Sequence, residues 1–196
     1  MGRSIPSFRQ LIEIERMNWS EFKKALPSKK EKEAFNTLFE NAKLYTPYLS
    51  NANRPIPIEP IMMGALFHNY KTLLNLNNEN KLTEDSILKK VSELEREKPQ
   101  VKILFDNTCN RWRGLLYALH KDDREQLLRM IADSFDSLDD GAAKWVMDKN
   151  SFLSLHFFFC LVKQNQGLIL RIKNTSKKES IKSSGTLLDF IDPKTI

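Results

Sequence analysis

Apolar side chains recur every three or four residues along most of this chain, which is the spacing of one face of an α-helix. The first example is the stretch PSFRQLIEIERMNWSEFKKAL, in which Phe8, Ile12, Trp19 and Phe22 share a face. We predict one continuous helix here, with Trp19 in the core. We expect Pro27 to end this helix, because proline removes a helical hydrogen bond.

The next segments repeat the pattern with recognisable start and stop signals. Ser28 is followed three residues later by Glu31, which is the capping-box spacing, and an apolar helical stripe then runs from Ala34 to Tyr45. We expect Pro47 to end or kink that helix. The stretch NANRPIPIEP predicts an extended break because it is rich in proline, and IMMGALFHNYKTLLNL then returns to the helical spacing.

Beyond residue 80 the chain again consists of amphipathic segments. The polar stretch NLNNENKLTEDS is the best candidate for a boundary, with Thr83 as the expected N-cap. Pro99 is expected at the first position of the helix that contains NRWRGLLY, and Asp122 is expected to cap the helix after it. The stretch SFLSLHFFFCLVKQNQGLILRIK favours a long helix. A strand from Phe157 to Val162 is the alternative, because aromatic residues are dense there.

These segments together predict an all-α fold, a helical bundle that forms either one compact domain or two related three-helix halves. We assign residues 1–80 to an N-terminal helical unit, 83–173 to a C-terminal helical unit and 174–196 to a tail. The tail begins with NTSKKESIKSSG, which has too few apolar residues to offset the entropy lost on ordering. We therefore expect a disordered C-terminal tail.

The two halves resemble each other at a shift of 93 residues, which pairs Trp19 with Trp112 and Leu26 with Leu119. The same shift superimposes the apolar positions of the helices that follow. One interpretation is a duplicated three-helix unit that presents two similar surfaces. The alternative is that two ordinary amphipathic helix pairs align by chance, and the sequence leaves both interpretations open.

Composition narrows the class of protein only slightly. The chain has 196 residues, 41% of them hydrophobic, and its net charge of +6 permits contact with nucleic acid or an acidic partner without requiring it. The longest apolar run, 152–162, is too short for a bilayer, which takes about 20 residues, and the N-terminus has no signal-peptide pattern. Cys109 and Cys160 form no CxxC pair, so we expect no membrane, no zinc, and core thiols in a reducing cytoplasm.

Three N-terminal stretches carry a resemblance to a known family. They are MGRSIPSFRQLIEIERMNWSEFKKAL, EAFNTLFENAKLY and PIEPIMMGALFHNYKTL, within about the first 76 residues. These stretches resemble an uncharacterised family of small archaeal helical proteins. They depart from its pattern at Lys23, where arginine is typical, and at Gly64, where serine is typical. The resemblance implies an archaeal cytoplasmic origin and a helical domain, and it implies no activity and no catalytic residue.

The tail ends in an apolar motif, SGTLLDFI, that resembles the box with which proteins bind the replication sliding clamp, PCNA. Leu187 stands at the aliphatic position and Phe190 at the first aromatic position, and a 3₁₀ turn would place them on one side as a plug. Ser184 stands where the box has glutamine, and Ile191 replaces its second aromatic residue. The alternative is that this segment, with Leu188, folds back onto the body as a short helix.

Nucleic-acid contacts are predicted only weakly. Arg111 and Arg113 flank Trp112, an arrangement that can clamp phosphates and stack bases, although the repeat favours a core position for Trp112. The other weak candidates are linker lysines: Lys177, Lys178 and Lys182. The lysines between 23 and 32 are diluted by glutamates, and we interpret them as a solvated helix face.

No residue pattern is typical of catalysis or of a cofactor site. The histidines have no metal-ligand spacing, and we expect His156 to lie in the interior. The sequence thus predicts a non-enzymatic adaptor of archaeal DNA replication or repair that docks the sliding clamp. The alternative is a scaffold or homo-oligomer with no nucleic-acid role, whose tail packs on its own body or on a twin subunit. A third hypothesis, an enzyme with an unfamiliar site, requires a polar pocket.

Overall fold

The computed structural model describes residues 5–77, 84–148, 156–157, 159–165, 167–168, 171 and 174–175. Its helices are α1 (Phe8–Asn18), α2 (Ser20–Ala25), α3 (Lys29–Lys43), α4 (Thr46–Leu49), the 3₁₀ turn η1 (Ser50–Ala52), α5 (Ile58–Asn77), α6 (Glu84–Glu97), α7 (Pro99–Arg111), α8 (Arg113–Ala118), α9 (Lys121–Ser134) and α10 (Asp140–Met147). The described residues between 156 and 175 are helical as well, and no strand occurs in these ranges. The all-α prediction is confirmed.

Local signals explain several helix starts. The predicted capping box forms at α3: Ser28 N–H donates to Glu31 Oε2 at 2.9 Å, and Glu31 N–H donates to Ser28 Oγ at 3.2 Å. Pro99 lies in the first turn of α7, as predicted. This position suits proline, because the N–H groups of the first turn have no partner within the helix.

Two predicted helix signals are wrong. The prediction that Asp122 caps the helix fails, because α9 begins at Lys121 with His120 as its N-cap. Asp122 instead lies in the first turn, where its charge favours the positive end of the helix dipole. Pro47 does not end α3, which already ends at Lys43. It lies in the first turn of α4, where its missing N–H costs nothing.

Both helices that were predicted to run through a tryptophan are broken there. Trp19 separates α1 from α2 with φ −92° and ψ 13°, and Trp112 separates α7 from α8 with φ −102° and ψ 15°. These angles lie outside the α-helical region, so each tryptophan turns the chain. Apolar spacing continues across both breaks, which is why the sequence predicted single helices.

The local geometry of the two halves repeats at the shift of 93 residues. Ser20–Ala25 shifted by 93 falls on Arg113–Ala118, so α2 and α8 match from end to end. Each short helix is followed by a leucine in the extended conformation, Leu26 in the first half and Leu119 in the second. This agreement of helix ends and backbone angles favours a duplicated unit over chance alignment.

The two halves share one hydrophobic core among the described residues. Buried side chains from both sides belong to a single cluster that includes Ile12, Leu66, Leu104, Leu127 and Ile131. Helices α5 and α6 pack against α9, while α4 and η1 pack against α8. The division into units 1–80 and 83–173 stays a prediction, because 78–83 lie outside the described residues.

A cluster of polar side chains reinforces the contact of α9 with α5 and α6. Asp133 accepts a hydrogen bond from Tyr70 Oη at 2.8 Å and from Lys90 Nζ at 2.6 Å, and Arg129 Nε lies 3.5 Å away. Burial alone would lower the pKa of Lys90, but the hydrogen bond and charge of Asp133 outweigh it and raise the pKa. No helix in the described ranges is both long and apolar enough to cross a membrane.

Candidate binding surface around Trp19

The main binding site predicted from the sequence is in the tail and lies outside the described residues. The residues of the predicted clamp-binding box, Ser184, Leu187, Leu188, Phe190 and Ile191, lie outside the described residues. The linker residues Lys177, Lys178 and Lys182 lie outside them as well. Clamp docking and tail disorder therefore stay predictions.

Trp112 is a core residue, as the repeat suggested. Its side chain is fully buried, with the Phe157 ring at 6.2 Å and the Arg54 guanidinium 6.0 Å above the indole. Arg113 is exposed and donates to Asn110 Oδ1 at 2.8 Å. Because the indole is covered, Arg111 and Arg113 do not form a stacking platform with it. Their contact with nucleic acid stays a prediction.

Trp19 is not a core residue, which corrects the sequence prediction. Its side chain is 45% exposed and that of Phe22 is 53% exposed. The two rings meet edge to face, with centroids 6.1 Å apart and an interplanar angle of 87°. The Phe22 and Phe35 ring centroids lie 6.0 Å apart, and those of Phe35 and the buried Phe39 lie 5.1 Å apart. Aromatic rings thus lead from the core to the surface.

The two tryptophans differ in exposure together with the short helices that follow them, because other elements cover the outer face of α8 and, among the described residues, none covers that of α2. Helix α8 is covered by α4 and η1, and the contact is so close that a Cβ on Gly114 would lie 1.8 Å from the Asn51 carbonyl oxygen. Helix α2 packs mainly against α1 and α3. The position that corresponds to Gly114 is Glu21, whose side chain is exposed. The face of α2 therefore remains open.

The sequence contained a signal for this open face. At the shift of 93 residues, Lys23 stands where the second half has Leu116, and Ala34 stands where it has Leu127. Both leucines are buried in the structure. A lysine and an exposed alanine at the matching positions indicate that, among the described residues, no element covers this face of α2.

The segment that contains Phe22 and follows Trp19 is rich in lysine. Residues 20–33 contain five lysines and three glutamates. Glu21 is paired with Lys24 at 2.7 Å, and the Glu31 carboxylate accepts the hydrogen bonds of the capping box. Lys29 lies 3.8 Å from Glu33, so within the described residues the lysines of this stretch with no carboxylate at ion-pair distance are Lys23, Lys30 and Lys32. We call the surface formed by Trp19, Phe22, Lys23, Lys24, Lys29 and Lys30 the α2 corner.

The outer face of α1 adds apolar surface on the chain segment leading to this corner. An open groove of about 600 Å³ is lined by side chains between Pro6 and Met17. Its apolar members include the exposed Ile14 and Met17, and its charged members are Arg9 and Glu13. Such a groove can receive an apolar or stacked group, and two of its polar side chains, Ser7 and Gln10, are engaged in the capping box of α1.

The buried titratable groups are held in unreactive forms. Burial lowers the pKa of His156 to about 3 and raises the pKa of Cys160 to about 12, although Cys160 Sγ lies only 3.8 Å from His156 Nε2. Burial, then the charge of Asp106, raises the pKa of Cys109 to about 12. Thiols with such values stay protonated at neutral pH and are weak nucleophiles.

Other polar side chains connect helices and lie far apart in the sequence. Lys71 pairs with Asp123, and Tyr45 Oη lies 3.4 Å from His68 Nδ1. Burial, then the charge of Lys71, lowers the pKa of His68. In the part of the chain that the structure describes, no group of three or more His, Cys, Asp or Glu side chains could hold a metal ion.

Comparison with known proteins gives one match. The family model described as Domain of unknown function (DUF8156) matches residues 1–102, which is more than half of the chain. The chain belongs to this family. No curated protein and no solved structure matches the chain.

The DUF8156 match includes the α2 corner and ends within α7, before Trp112. The open face thus lies in the part of the chain that the family shares, whereas α8, α9 and the tail follow it. The prediction that the N-terminal part belongs to an uncharacterised family is confirmed, and the matched region reaches residue 102. The archaeal origin stays a prediction.

Proposed function

We propose that this protein is a cytoplasmic, non-enzymatic adaptor of archaeal DNA replication or repair that joins two partners. The α2 corner binds one of them, and the C-terminal tail docks the other, the sliding clamp. The observation that carries the proposal is the exposure of Trp19 and Phe22 at positions whose counterparts, Trp112 and Leu115, are buried.

Two adjacent exposed aromatic rings, one at the N-cap of a short helix and one within it, are typical of an interface. Tryptophan and other aromatic residues are enriched at binding surfaces and contribute much of the binding energy there. The second half of the chain gives an example of such a contact, because α8 carries the corresponding face and is covered by α4 and η1. A partner would cover α2 in a similar way.

Clamp docking is supported by the sequence of the tail. Leu187, Phe190 and Ile191 provide the apolar anchors of a one-turn plug, and a serine- and lysine-rich linker connects them to the body. A tether of this kind raises the effective concentration of the body near the clamp. The positive linker adds a weak, salt-dependent attraction to nearby DNA.

The absence of enzymatic activity is supported by the state of the buried thiols and of His156. A nucleophilic cysteine needs a lowered pKa, and burial raises the pKa of both cysteines to about 12. His156 contacts Phe135 at 5.3 Å in the core, where a proton cannot readily be exchanged with a substrate. These groups stabilise the fold and leave the surface for binding.

The clamp contact is tested by titrating an archaeal sliding clamp with the full chain in a calorimeter. We expect Phe190→Ala to abolish binding without changing the melting temperature, because the side chain acts only as an anchor. Ile196→Ala is the matched control, since it removes another apolar side chain of the tail outside the box, and it should bind like the natural chain. Equal affinity of both variants would exclude clamp docking through the box.

A second candidate function, a self-associating helical scaffold, is favoured by one observation. Within the chain, η1 covers α8, and the Cα of Ala52 on η1 would lie 3.6 Å from a Cβ on Gly114. At the shift of 93 residues, α8 matches α2, and Ala52 matches Trp145 on α10, whose side chain is 56% exposed. Helix α10 of one copy would then cover α2 of another. Light scattering decides between the two functions: a dimeric or larger mass that Trp145→Ala reduces to that of the monomer supports the scaffold, and a monomer excludes it.

A further inference from the structure

The α2 corner combines exposed aromatic rings with lysines on two adjoining helices. We propose that this corner binds single-stranded nucleic acid, with Trp19 and Phe22 stacking on bases and the lysines contacting phosphates. The inference rests on the proposed adaptor function and names the class of partner for its body.

The rings supply the contact to the bases. Trp19 and Phe22 are about half exposed and hold each other edge to face, and Phe35 supports Phe22 from the core side. Rings fixed in this way lose little freedom when a base stacks on them. Stacking tolerates any sequence, because every base has a flat face, and it contributes about 1–3 kcal/mol per base.

The lysines supply the contact to the backbone. Lys23 lies one turn after the N-cap Trp19, and its N–H donates to the Trp19 carbonyl at 3.1 Å. Lys29 and Lys30 begin α3, just past the turn that follows α2. Lys24 pairs with Glu21, and Lys29 lies 3.8 Å from Glu33. Lys23 and Lys30 are therefore the main candidates for phosphate contacts.

The arrangement favours a single strand over the other polyanions. A duplex keeps its bases stacked and paired, so the two rings would find no base faces and only the lysines would contribute. An acidic peptide would also satisfy the lysines but would give flat aromatic rings no regular stacking partner. The combination of rings and cations matches unpaired bases on a phosphate backbone.

The test is fluorescence anisotropy of the full chain with labelled oligo(dT) of about 20 nucleotides, longer than one compact binding site. Oligo(rU) of the same length separates RNA from DNA, and a duplex and a polyglutamate peptide serve as competitors. We expect both single strands to bind, with weak competition from the duplex and from polyglutamate. Displacement by polyglutamate as effective as by unlabelled oligo(dT) would overturn the inference in favour of an acidic protein partner.

Variants of the rings test stacking. Trp19→Ala should weaken binding about 5- to 160-fold, and Trp19→Phe should restore most of the affinity, since a flat ring is retained. Tyr117→Ala is the matched control, because Tyr117 is an exposed ring (74%) on α8, away from α2, and it should leave affinity unchanged. Unchanged affinity in the double variant Trp19→Ala/Phe22→Ala would overturn the inference.

Variants of the lysines test the phosphate contacts. Removing two phosphate contacts from a single strand should reduce the slope of log K against log salt by about 1.4, or about 0.7 for each lysine. We expect this change for Lys23→Gln/Lys30→Gln. Lys89→Gln, which alters an exposed lysine on α6, should leave the slope as it is. An equal slope in the double variant and the natural chain would contradict phosphate contacts at the corner.

One variant of the tail and one of the α2 corner, each tested for both ligands, show which of the two proposals fails. Phe190→Ala should lose clamp binding and keep its affinity for oligo(dT), whereas Trp19→Ala should weaken oligo(dT) binding and keep clamp binding. A chain that binds the clamp but no single strand would overturn the inference and leave clamp docking intact. A chain that binds oligo(dT) through Trp19 but no clamp would support the inference and refute the clamp proposal.

Discussion

Trp19 and Trp112 occupy matching positions and have nearly the same backbone angles, yet Trp19 is 45% exposed and Trp112 is fully buried. The local geometry of the chain is therefore the same at both sites, and the difference comes from neighbouring helices. At Trp112 the indole lies against Arg54 of the first half and against Phe157, and α4 and η1 cover the adjacent helix α8. At Trp19 the same kind of surface remains open, and this difference is the basis of the proposed binding role.

The two tryptophans should contribute very differently to stability. Trp112→Ala would leave a large cavity in the core, and we expect it to lower the free energy of unfolding by about 3–5 kcal/mol. Trp19→Ala removes a half-exposed ring, and we expect a loss below about 1 kcal/mol. Urea denaturation of both variants measures the difference, and similar losses would contradict the assignment of one ring to the core and the other to the surface.

Gly114 should resist substitution because α8 lies against the backbone of η1. A Cβ there would lie 1.8 Å from the Asn51 carbonyl oxygen, so Gly114→Ala forces α8 away and should cost about 1–3 kcal/mol. Gly141→Ala is the control on α10, where the nearest atom outside the local helix backbone is Asp139 Oδ1 at 3.4 Å. Alanine favours helix, so this variant should gain up to about 1 kcal/mol. A Gly114→Ala protein as stable as the control would refute the close contact.

Asp133 should matter more than its neighbour Asp136. Asp133→Ala removes the acceptor of the Tyr70 hydroxyl and the closest partner of Lys90, and we expect a loss of about 1–3 kcal/mol in this partly exposed site. Asp136 is 3.2 Å from Lys90 but half exposed, so Asp136→Ala should cost below about 1 kcal/mol. Thermal unfolding compares them, and an equal loss would show that Asp133 does not link the helices.

His156 should make the protein less stable as the pH falls below the ordinary histidine range. Burial lowers the pKa of His156 to about 3 from the ordinary value of 6.5, so between these values the unfolded chain binds a proton that the folded chain does not. Stability is thus fully present above pH 6.5 and falls toward pH 3, by up to about 1.4 kcal/mol per pH unit. Cys160, whose pKa is raised to about 12, stays protonated throughout.

The pH effect is measured by urea denaturation between about pH 7 and pH 5, above the range where most carboxylates titrate. We expect stability to depend less steeply on pH in His156→Leu, because the variant lacks the histidine that takes up a proton only in the unfolded chain. His68, whose pKa is also lowered by burial, should account for part of the remaining slope. An unchanged slope in His156→Leu would refute this assignment.

Much of the fold was predictable because the signals that define it are local. Ser28 with Glu31, and Pro99, mark helix starts through contacts within one turn, and the structure has both. The breaks at Trp19 and Trp112 were missed because apolar spacing continues through them. Periodicity reports which face of a segment is apolar, and it does not report a change in chain direction.

The open α2 corner was missed for a different reason. An apolar face is buried only if another element covers it, and Trp19 and Phe22 show the same helical spacing as Trp112 and Leu115. What distinguishes the two faces is the covering turn η1, which comes from a distant part of the sequence. In the sequence, this difference is indicated by Lys23, which stands where the second half has Leu116.

The most direct test of the α2 corner is ¹⁹F NMR of the full chain labelled with 5-fluorotryptophan, because the chain has three tryptophans. Trp19→Phe and Trp145→Phe each remove one signal and so assign all of them. On titration with oligo(dT), we predict that the Trp19 signal shifts progressively while the signal of the buried Trp112 stays in place. A Trp19 signal that remains unchanged at saturating oligo(dT) would contradict the account.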